Sequence, residues 1–395
     1  MTASFIVLML ALLMGSQPIT TDLYLPSLPA LAQELGAGMG QTQLTLTALL
    51  LSFGFSQLLL GPLADRFGRR PVLLGGMALY TLASVGNALA PDMTALVATR
   101  TLQGVAMGAA VVCARAMIRD LFAPQEGARV MAKALGGLGV IALLSPLVGG
   151  LLTPWIGWRW TLALLAVFGA LVFALLWMQL QETRPAPVAL SPRALWHSWR
   201  MILRDPTFLA WAGLQAASYG GLFTWLAASS FVFLNVYQWS LPMYGVAMAS
   251  ACIAYIAGTL WCRRLLPRLG LQRSVSVAAW ITLAGGACMG LLGMAGVQTW
   301  WAFLLPHYLF MFAHGVHQPC AQTGSVAPFP QFAGTASALS GCMLTLVAFC
   351  VGAWLGVRID GTAAPLVNGV WMWCMVIALF AWVPVRLFGQ TPRGR

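Results

Sequence analysis

Eighty-four consecutive residues, Ser274 to Val357, contain no Asp, Glu, Lys or Arg. A second stretch, Thr207 to Cys262, is uncharged over 56 residues. A water-soluble fold cannot hide such runs, because much of its exterior must meet water. The whole chain agrees: 60% of it is hydrophobic and 8% is charged, with a mean hydropathy of +0.83. An ordinary soluble domain is about 25% charged. Soluble enzymes, nucleic-acid binders and disordered chains are thereby excluded as classes. Transmembrane β-barrels are excluded too, since their strands are short segments of alternating polarity. The expected class is an all-α membrane protein.

A spanning helix needs roughly 20 mostly apolar residues. Uncharged runs of that size end at Thr21, then cover Leu35–Ala64, Pro71–Pro91, Ala134–Trp158 and Trp160–Gln181. Met93–Ala114 joins them, interrupted only by Arg100. After residue 206 the 56-residue run must fold back once, the 84-residue run accommodates three spans, and Gly361–Val385 adds one. The expectation is twelve transmembrane helices.

Charge placement orients them. With the N-terminus in the cytoplasm, 18 of the 21 basic residues fall in or beside the even-numbered loops and the tail. They include Arg66, Arg69 and Arg70, then Arg115, Arg119, Arg129 and Lys133, then Arg184, Arg193, Arg200 and Arg204. Arg263, Arg264, Arg268, Arg273, Arg386, Arg393 and Arg395 complete the set. This is the positive-inside pattern, and it places both termini in the cytoplasm. The net charge of +12 therefore needs no nucleic acid. No basic n-region precedes the first apolar run, so no cleavable signal peptide is expected. Seven of the eight cysteines lie well inside apolar spans and read as packing residues, not a disulfide framework.

The polar gap 182–206, with Pro185, Pro187 and Pro192, reads as a cytoplasmic linker. It separates an N-terminal six-helix bundle, 1–181, from a C-terminal one, 207–395. Arg66-Phe67-Gly68 is echoed by Arg268-Leu269-Gly270, which suggests duplication. Two pseudo-symmetric bundles suit alternating access around a midplane site.

The second loop reads Gly61-Pro62-Leu63-Ala64-Asp65-Arg66-Phe67-Gly68-Arg69-Arg70. It resembles the signature loop of the major facilitator superfamily. Arg100-Thr101-Leu102-Gln103-Gly104 is similar to the second motif of that family's drug/proton antiporters. The segment from Thr21-Asp22 through Tyr24 and Pro26 to Pro29 resembles the Bcr/CflA branch, as do Arg115–Asp120 and Gly334–Gly341. The span-five antiporter motif is represented by Ser145-Pro146-Leu147-Val148-Gly149-Gly150, with Ile141 where a glycine is expected. The resemblance covers the whole chain. It implies the major facilitator fold and a multi-pass protein of the bacterial inner membrane. It further implies efflux of bicyclomycin-, sulfonamide- or chloramphenicol-like drugs, and a latch role for Gly61, Asp65, Arg66, Gly68, Arg69 and Arg70. In that role Asp65 would face the start of span eleven, near Gln331.

Of nine carboxylates, only Asp22 sits late in an apolar span. An intramembrane carboxylate is costly and usually functional. Arg100 lies in the same half of the membrane and is its natural partner. The expectation is that Asp22 carries the proton and Arg100 controls it; a permanent structural pair is the alternative. Glu34, Asp92 and Asp360 fall on the periplasmic side, and Asp65, Asp120, Glu126, Glu182 and Asp205 on the cytoplasmic side. Pro26 deprives the Asp22 carbonyl of its helical donor, as Pro18 does for Met14 and Pro146 for Ala142. The expected substrate cavity is walled by Tyr24, Met107, Ala142, Pro146, Gln215, Tyr219, Phe223 and His314. Trp211, Gln215, Tyr219 and Phe223 recur every four residues and share a face in span seven. His307, Met311, His314 and Gln318 share one in span ten, with His317 nearby. No carboxylate or cysteine completes a metal set around these histidines, and no nucleotide-binding loop or catalytic set is present. No metal, cofactor, nucleotide or nucleic acid is expected as a partner. The expected partners are a small lipophilic drug, protons and membrane lipid, with the protein as a monomer. A metabolite transporter of the same fold and a non-transporting membrane sensor are the rival readings.

Overall fold

The computed structural model describes residues 3–122, 124–183, 191–297, 299–358 and 361–390. Arg184, Pro185 and Pro187 of the expected linker, Asp360, Arg393 and Arg395 lie outside the described residues, as do the side chains of Arg119 and Arg129. Secondary structure among the described residues is helical throughout. The long helices are α1 (Ala3–Asp22), α3 (Met39–Phe67), α4 (Arg69–Leu89), α5 (Met93–Leu121), α6 (Pro124–Gln179), α8 (Pro206–Phe231), α9 (Leu241–Met294), α10 (Trp301–Val326), α11 (Ala333–Arg358) and α12 (Ala364–Trp382). Shorter ones are α2 (Leu28–Glu34), α7 (Pro192–Arg204) and α13 (Pro384–Phe388).

Nine helical stretches of the described residues are long and apolar enough to cross a membrane. Two are double-length. α6 leaves helical geometry at Gly157 (φ 74°) and α9 at Gly270 (φ 71°), so each supplies two crossings. α10 is a further full-length helix of 26 residues. Its three histidines, with Gln318 and Gln322, make it more polar than its neighbours. Twelve crossings result, as the uncharged runs led one to expect. Gly68 (φ 111°) and Gly270, the two glycines of the sequence echo, both sit in the left-handed region at a cytoplasmic-type turn.

The chain divides into two compact units. Unit 1 comprises Met1–Ser191 with Leu241–Ala249. In it α3 packs along α5, α4 on α5 and α6, and α1 on α6. Glycines permit the closest of these crossings. A Cβ on Gly104 would strike the Leu49 carbonyl and Ser52 Oγ, and one on Gly108 would strike Ser56 Oγ, so α5 lies directly on the backbone of α3. At one end of the unit Arg159, beside the Gly157 break, donates to the carbonyls of Ala88 (3.2 Å) and Ala90 (2.8 Å) and to Glu34 (3.2 Å). Trp158 also donates to Glu34, at 2.6 Å. The turn of α6 is thus tied to the ends of α2 and α4.

Unit 2 comprises Pro192–Ser240 with Ser250–Arg395. Its centre is α8, which packs against α10, α11 and α12. Almost every α8 side chain is buried, which explains why that helix is apolar all round. The stretch 182–206, read from sequence as linker, contains the 13-residue helix α7. Arg193, His197, Arg200 and Arg204 recur on one face of it at helical spacing, while Ser198 and Ile202 are buried. α7 packs against α8 and α11. That arrangement is amphipathic and suits an interfacial helix.

Candidate functional site

The first crossing is not continuous. α1 stops at Asp22, the chain bends, a 3-10 turn follows at Leu25–Ser27, and α2 resumes at Leu28. Pro26 and Pro29 account for the interruption, since neither can donate to the preceding turn. Non-helical backbone at membrane depth is tolerated only where protein or a wet cavity satisfies it. Here Ser27 Oγ bonds Thr153 Oγ1 at 3.0 Å. On the far side Gly149 of α6 lies so close to the Leu23 carbonyl that a Cβ could not fit. Gly150, also buried, lies against Gly245 of the same unit. Gly149 therefore brings bare backbone against the break in α1, while Gly150 and the Pro146 carbonyl face Gly245.

Asp22 is half-buried at this break and accepts a hydrogen bond from Thr21 Oγ1 at 2.8 Å. Arg100, on α5, is completely buried. Its Nη1 donates to Gln103 Oε1 at 2.9 Å and to the Thr20 carbonyl at 3.4 Å. Its guanidinium carbon lies 4.0 Å from the centroid of the Tyr24 ring. Nε and Nη2 of Arg100 have no acceptor among the described residues. The two charges do not pair with each other in this structure. The Tyr24 ring occupies the cation instead, and Asp22 is held by its own neighbour. Arg100 nonetheless reaches the Thr20 carbonyl, two residues before Asp22.

A polar network surrounds this cation. Tyr24 Oη bonds Thr45 Oγ1. Tyr80 Oη bonds Thr20 Oγ1 at 2.6 Å. Gln103 accepts from Asn87 Nδ2 (2.9 Å) and donates to Ser84 Oγ (2.7 Å), and Thr99 donates to Asn87 Oδ1 at 2.7 Å. All of these side chains are neutral. Tyr80, Ser84, Asn87 and Thr99 were not singled out from sequence. The only signal they carried was polarity within an apolar run. Met107 is buried further along α5, Pro146 is buried on α6, and Ala142 is half-buried there.

The loop between α3 and α4 holds a second cluster. Arg69 bridges two carboxylates: Asp65, one turn back, and Asp120 at the end of α5, the latter at 2.9 Å. Glu182, just past α6, accepts the backbone N–H of Arg69 at 2.8 Å and of Arg70 at 3.2 Å. It thereby caps the orphan amides at the start of α4, where a negative group is favoured. Gly68 lets it approach: a Cβ there would strike the carboxylate. Arg70 lies over the Trp177 ring at 5.7 Å. Arg66 is exposed, and Gly61 packs loosely beside Val112. The capping role of Glu182 escaped sequence reading, because its partners are backbone groups 112 and 113 residues away.

In unit 2, the expected span-seven stripe is buried. Tyr219 and Phe223 stack at 6.4 Å, and Trp211 donates to the Gly389 carbonyl at 3.2 Å. Gln215 Nε2 donates to Gln322 Oε1 at 2.8 Å, and Gln322 in turn to Ser337 Oγ at 3.1 Å. His314 Nδ1 bonds Ser218 Oγ at 2.8 Å, and His317 Nε2 bonds Thr282 Oγ1 at 3.0 Å. These contacts join α8, α9, α10 and α11 by hydrogen bonds in an otherwise apolar interior. No group of three or more metal-ligating side chains occurs among the described residues.

Comparison with known proteins adds four findings. Residues 10–353 match the family model described as the Major Facilitator Superfamily. Multidrug resistance protein D of Escherichia coli (strain K12) is 32% identical, over 85% of this chain and 84% of that protein. The chloramphenicol resistance protein of Pseudomonas aeruginosa is 28% identical, over 90% and 84%. Among solved structures, a bacterial homolog of the human lysosomal transporter Spinster superposes with a TM-score of 0.77 over 98% of this chain and 97% of that one, at 14% identity.

Proposed function

This chain belongs to the major facilitator superfamily, on its Bcr/CflA-like branch, and from that premise we propose that it exports small lipophilic antimicrobials in exchange for protons. It is a multi-pass inner-membrane protein and a secondary transporter of small molecules, not an enzyme. The finer reading concerns the proton. Asp22 is its carrier and Arg100 the group that governs it. Residues 1–181 and 207–395 form the two bundles, joined by 182–206, and work by alternating access. The loop cluster of Asp65, Arg69, Asp120 and Glu182 acts as a conformational latch.

One observation carries the coupling scheme: a buried guanidinium rests on an aromatic ring while a carboxylate sits at a helix break two residues beyond one of its acceptors. An unpaired buried cation is costly, so Arg100 has two competing resting places. With Arg100 on Tyr24, Asp22 is free to hold a proton. When Arg100 moves onto Asp22, the proton leaves. Substrate entry or helix movement at the break selects between them.

The test is transport by the purified protein in proteoliposomes across a drug panel, with release of protons monitored on drug addition. Asp22→Asn should abolish uphill export and drug-triggered proton release while drug binding persists. Full proton-driven export by that variant would refute the role. Drug-independent transport of a metabolite would refute the substrate class.

A further inference from the structure

α8 and α10 run antiparallel, and two of their contacts, Ser218–His314 and Trp225–His307, lie seven residues apart on both helices. Trp211 faces Gly324, Ser218 bonds His314, Gly221 abuts Phe310, and Trp225 faces His307. Both heptad rungs, Ser218–His314 and Trp225–His307, carry an imidazole, and they differ in one respect. His314 has a hydroxyl partner at 2.8 Å. His307 has a ring instead: its imidazole stacks on the Trp225 indole with centroids 3.6 Å apart and planes inclined by 6°. Both side chains are 1% exposed. Neither ring nitrogen of His307 has a hydrogen-bond partner among the described residues, and neither does Trp225 Nε1. Three orphan polar atoms thus meet on two touching rings at membrane depth, where unmet hydrogen bonds are most costly.

The donor set defines what would satisfy them. Indole N–H is an obligate donor, and a neutral imidazole offers one donor and one acceptor. Neither α8 nor α10 carries an Asp, Glu, Lys or Arg, so neither helix offers these two rings a charge to neutralise an ion. Its complement is an uncharged fragment with both an acceptor and a donor, such as an amide or a hydroxyl. Aromatic walls suit the flat apolar remainder of such a molecule. Phe310 stacks beyond His307 at 5.6 Å, and Phe233 covers Trp225 at 5.7 Å.

Phe233 belongs to the π-helical turn Val232–Val236 that ends the seventh crossing. It touches Tyr237 at 5.9 Å and Trp239 at 4.7 Å, on either side of Gln238, a non-glycine residue at φ 55°. π-turns and left-handed non-glycine residues concentrate at functional sites because their backbone is held less economically than an α-helix.

We infer that His307 and Trp225 form a subsite for the neutral hydrogen-bonding group of the substrate, covered in this state by Phe233. The inference rests on the export reading above and specifies one part of its ligand. Two probes test it by equilibrium binding to the purified full-length protein. Chloramphenicol carries an amide and hydroxyls. Tetraphenylphosphonium is lipophilic and has no hydrogen-bonding group. His307→Phe retains the stack and removes both nitrogens. It should raise the chloramphenicol Kd at least tenfold and leave that for tetraphenylphosphonium within twofold, and His307→Asn should recover part of the loss. Trp225→Phe, which removes the indole donor and shrinks the ring but keeps an aromatic face, should shift the same ligand in the same direction and serves if His307→Phe does not assemble. Unchanged chloramphenicol binding in these variants, or equal loss of both probes, overturns the subsite and leaves the export reading standing. Failure of the unaltered protein to bind either probe overturns both.

Discussion

Tyr24→Leu tests the proposed competition for Arg100. The Tyr24 ring lies 4.0 Å from a fully buried guanidinium. A desolvated cation–π contact of this kind contributes about 2 kcal/mol. Its removal leaves the guanidinium with Gln103 and a long bond to the Thr20 carbonyl, and so favours the alternative place on Asp22. At 1.4 kcal/mol per factor of ten, the balance shifts about 30-fold. Tyr24→Phe is the control. It keeps a ring and removes only the Thr45 hydrogen bond, which is worth about 1 kcal/mol, or about fivefold. The assay is the initial rate of drug accumulation in proteoliposomes under an imposed pH gradient. Exchange of labelled for unlabelled drug, without a gradient, is measured in parallel because it needs no net proton movement. Uphill transport should fall about 30-fold in Tyr24→Leu and no more than about fivefold in Tyr24→Phe, on the magnitudes just given. Exchange should stay within about twofold in both, since the proton step is bypassed. If Leu is no worse than Phe, the ring does not compete for Arg100. If exchange falls together with uphill transport, the defect lies in packing around Tyr24 and the scheme is wrong.

Two further outcomes follow from the backbone. Gly68→Ala would force an L residue into φ 111° and drive a Cβ into the Glu182 carboxylate; thermal unfolding should show a loss of about 1–3 kcal/mol, and an unchanged melting temperature would refute the capping role. Gly149→Ala would press on the Leu23 carbonyl, where the neighbour is backbone and cannot rotate away. It should cost about 1–3 kcal/mol and impair uphill export more than drug binding, and equal losses of both would argue against a special role for the break.

Much of the fold was legible because a charge-free run reports directly on lipid. The lengths of those runs located the crossings, and glycines 157 and 270 mark where two of them turn. α10 was found by run length although its histidines and glutamines dilute its apolar character. α7 was missed because its signal is a moment, not a mean: arginines on one face and Ile202 on the other average to an ordinary polar linker. The candidate site was less legible. Sequence placed Asp22 and Arg100 in the same half of the membrane, and proximity of opposite charges suggested a pair. Which partner a side chain meets depends on helix rotation and on the bend at Leu23–Tyr24, which no spacing rule supplies. Tyr24 stood two residues from Asp22 throughout, yet only the folded turn lays its ring under the guanidinium. The orphan nitrogens of His307 were invisible for the same reason: a histidine in an apolar run looks alike whether it meets a hydroxyl or an indole.

Glu182, three residues past the end of α6, clasps the amides of Arg69 and Arg70. The end of α6 and the turn between α3 and α4 are therefore one mechanical junction. A displacement of the end of α6 would reach, through one backbone hydrogen bond, the arginine that binds Asp65 and Asp120.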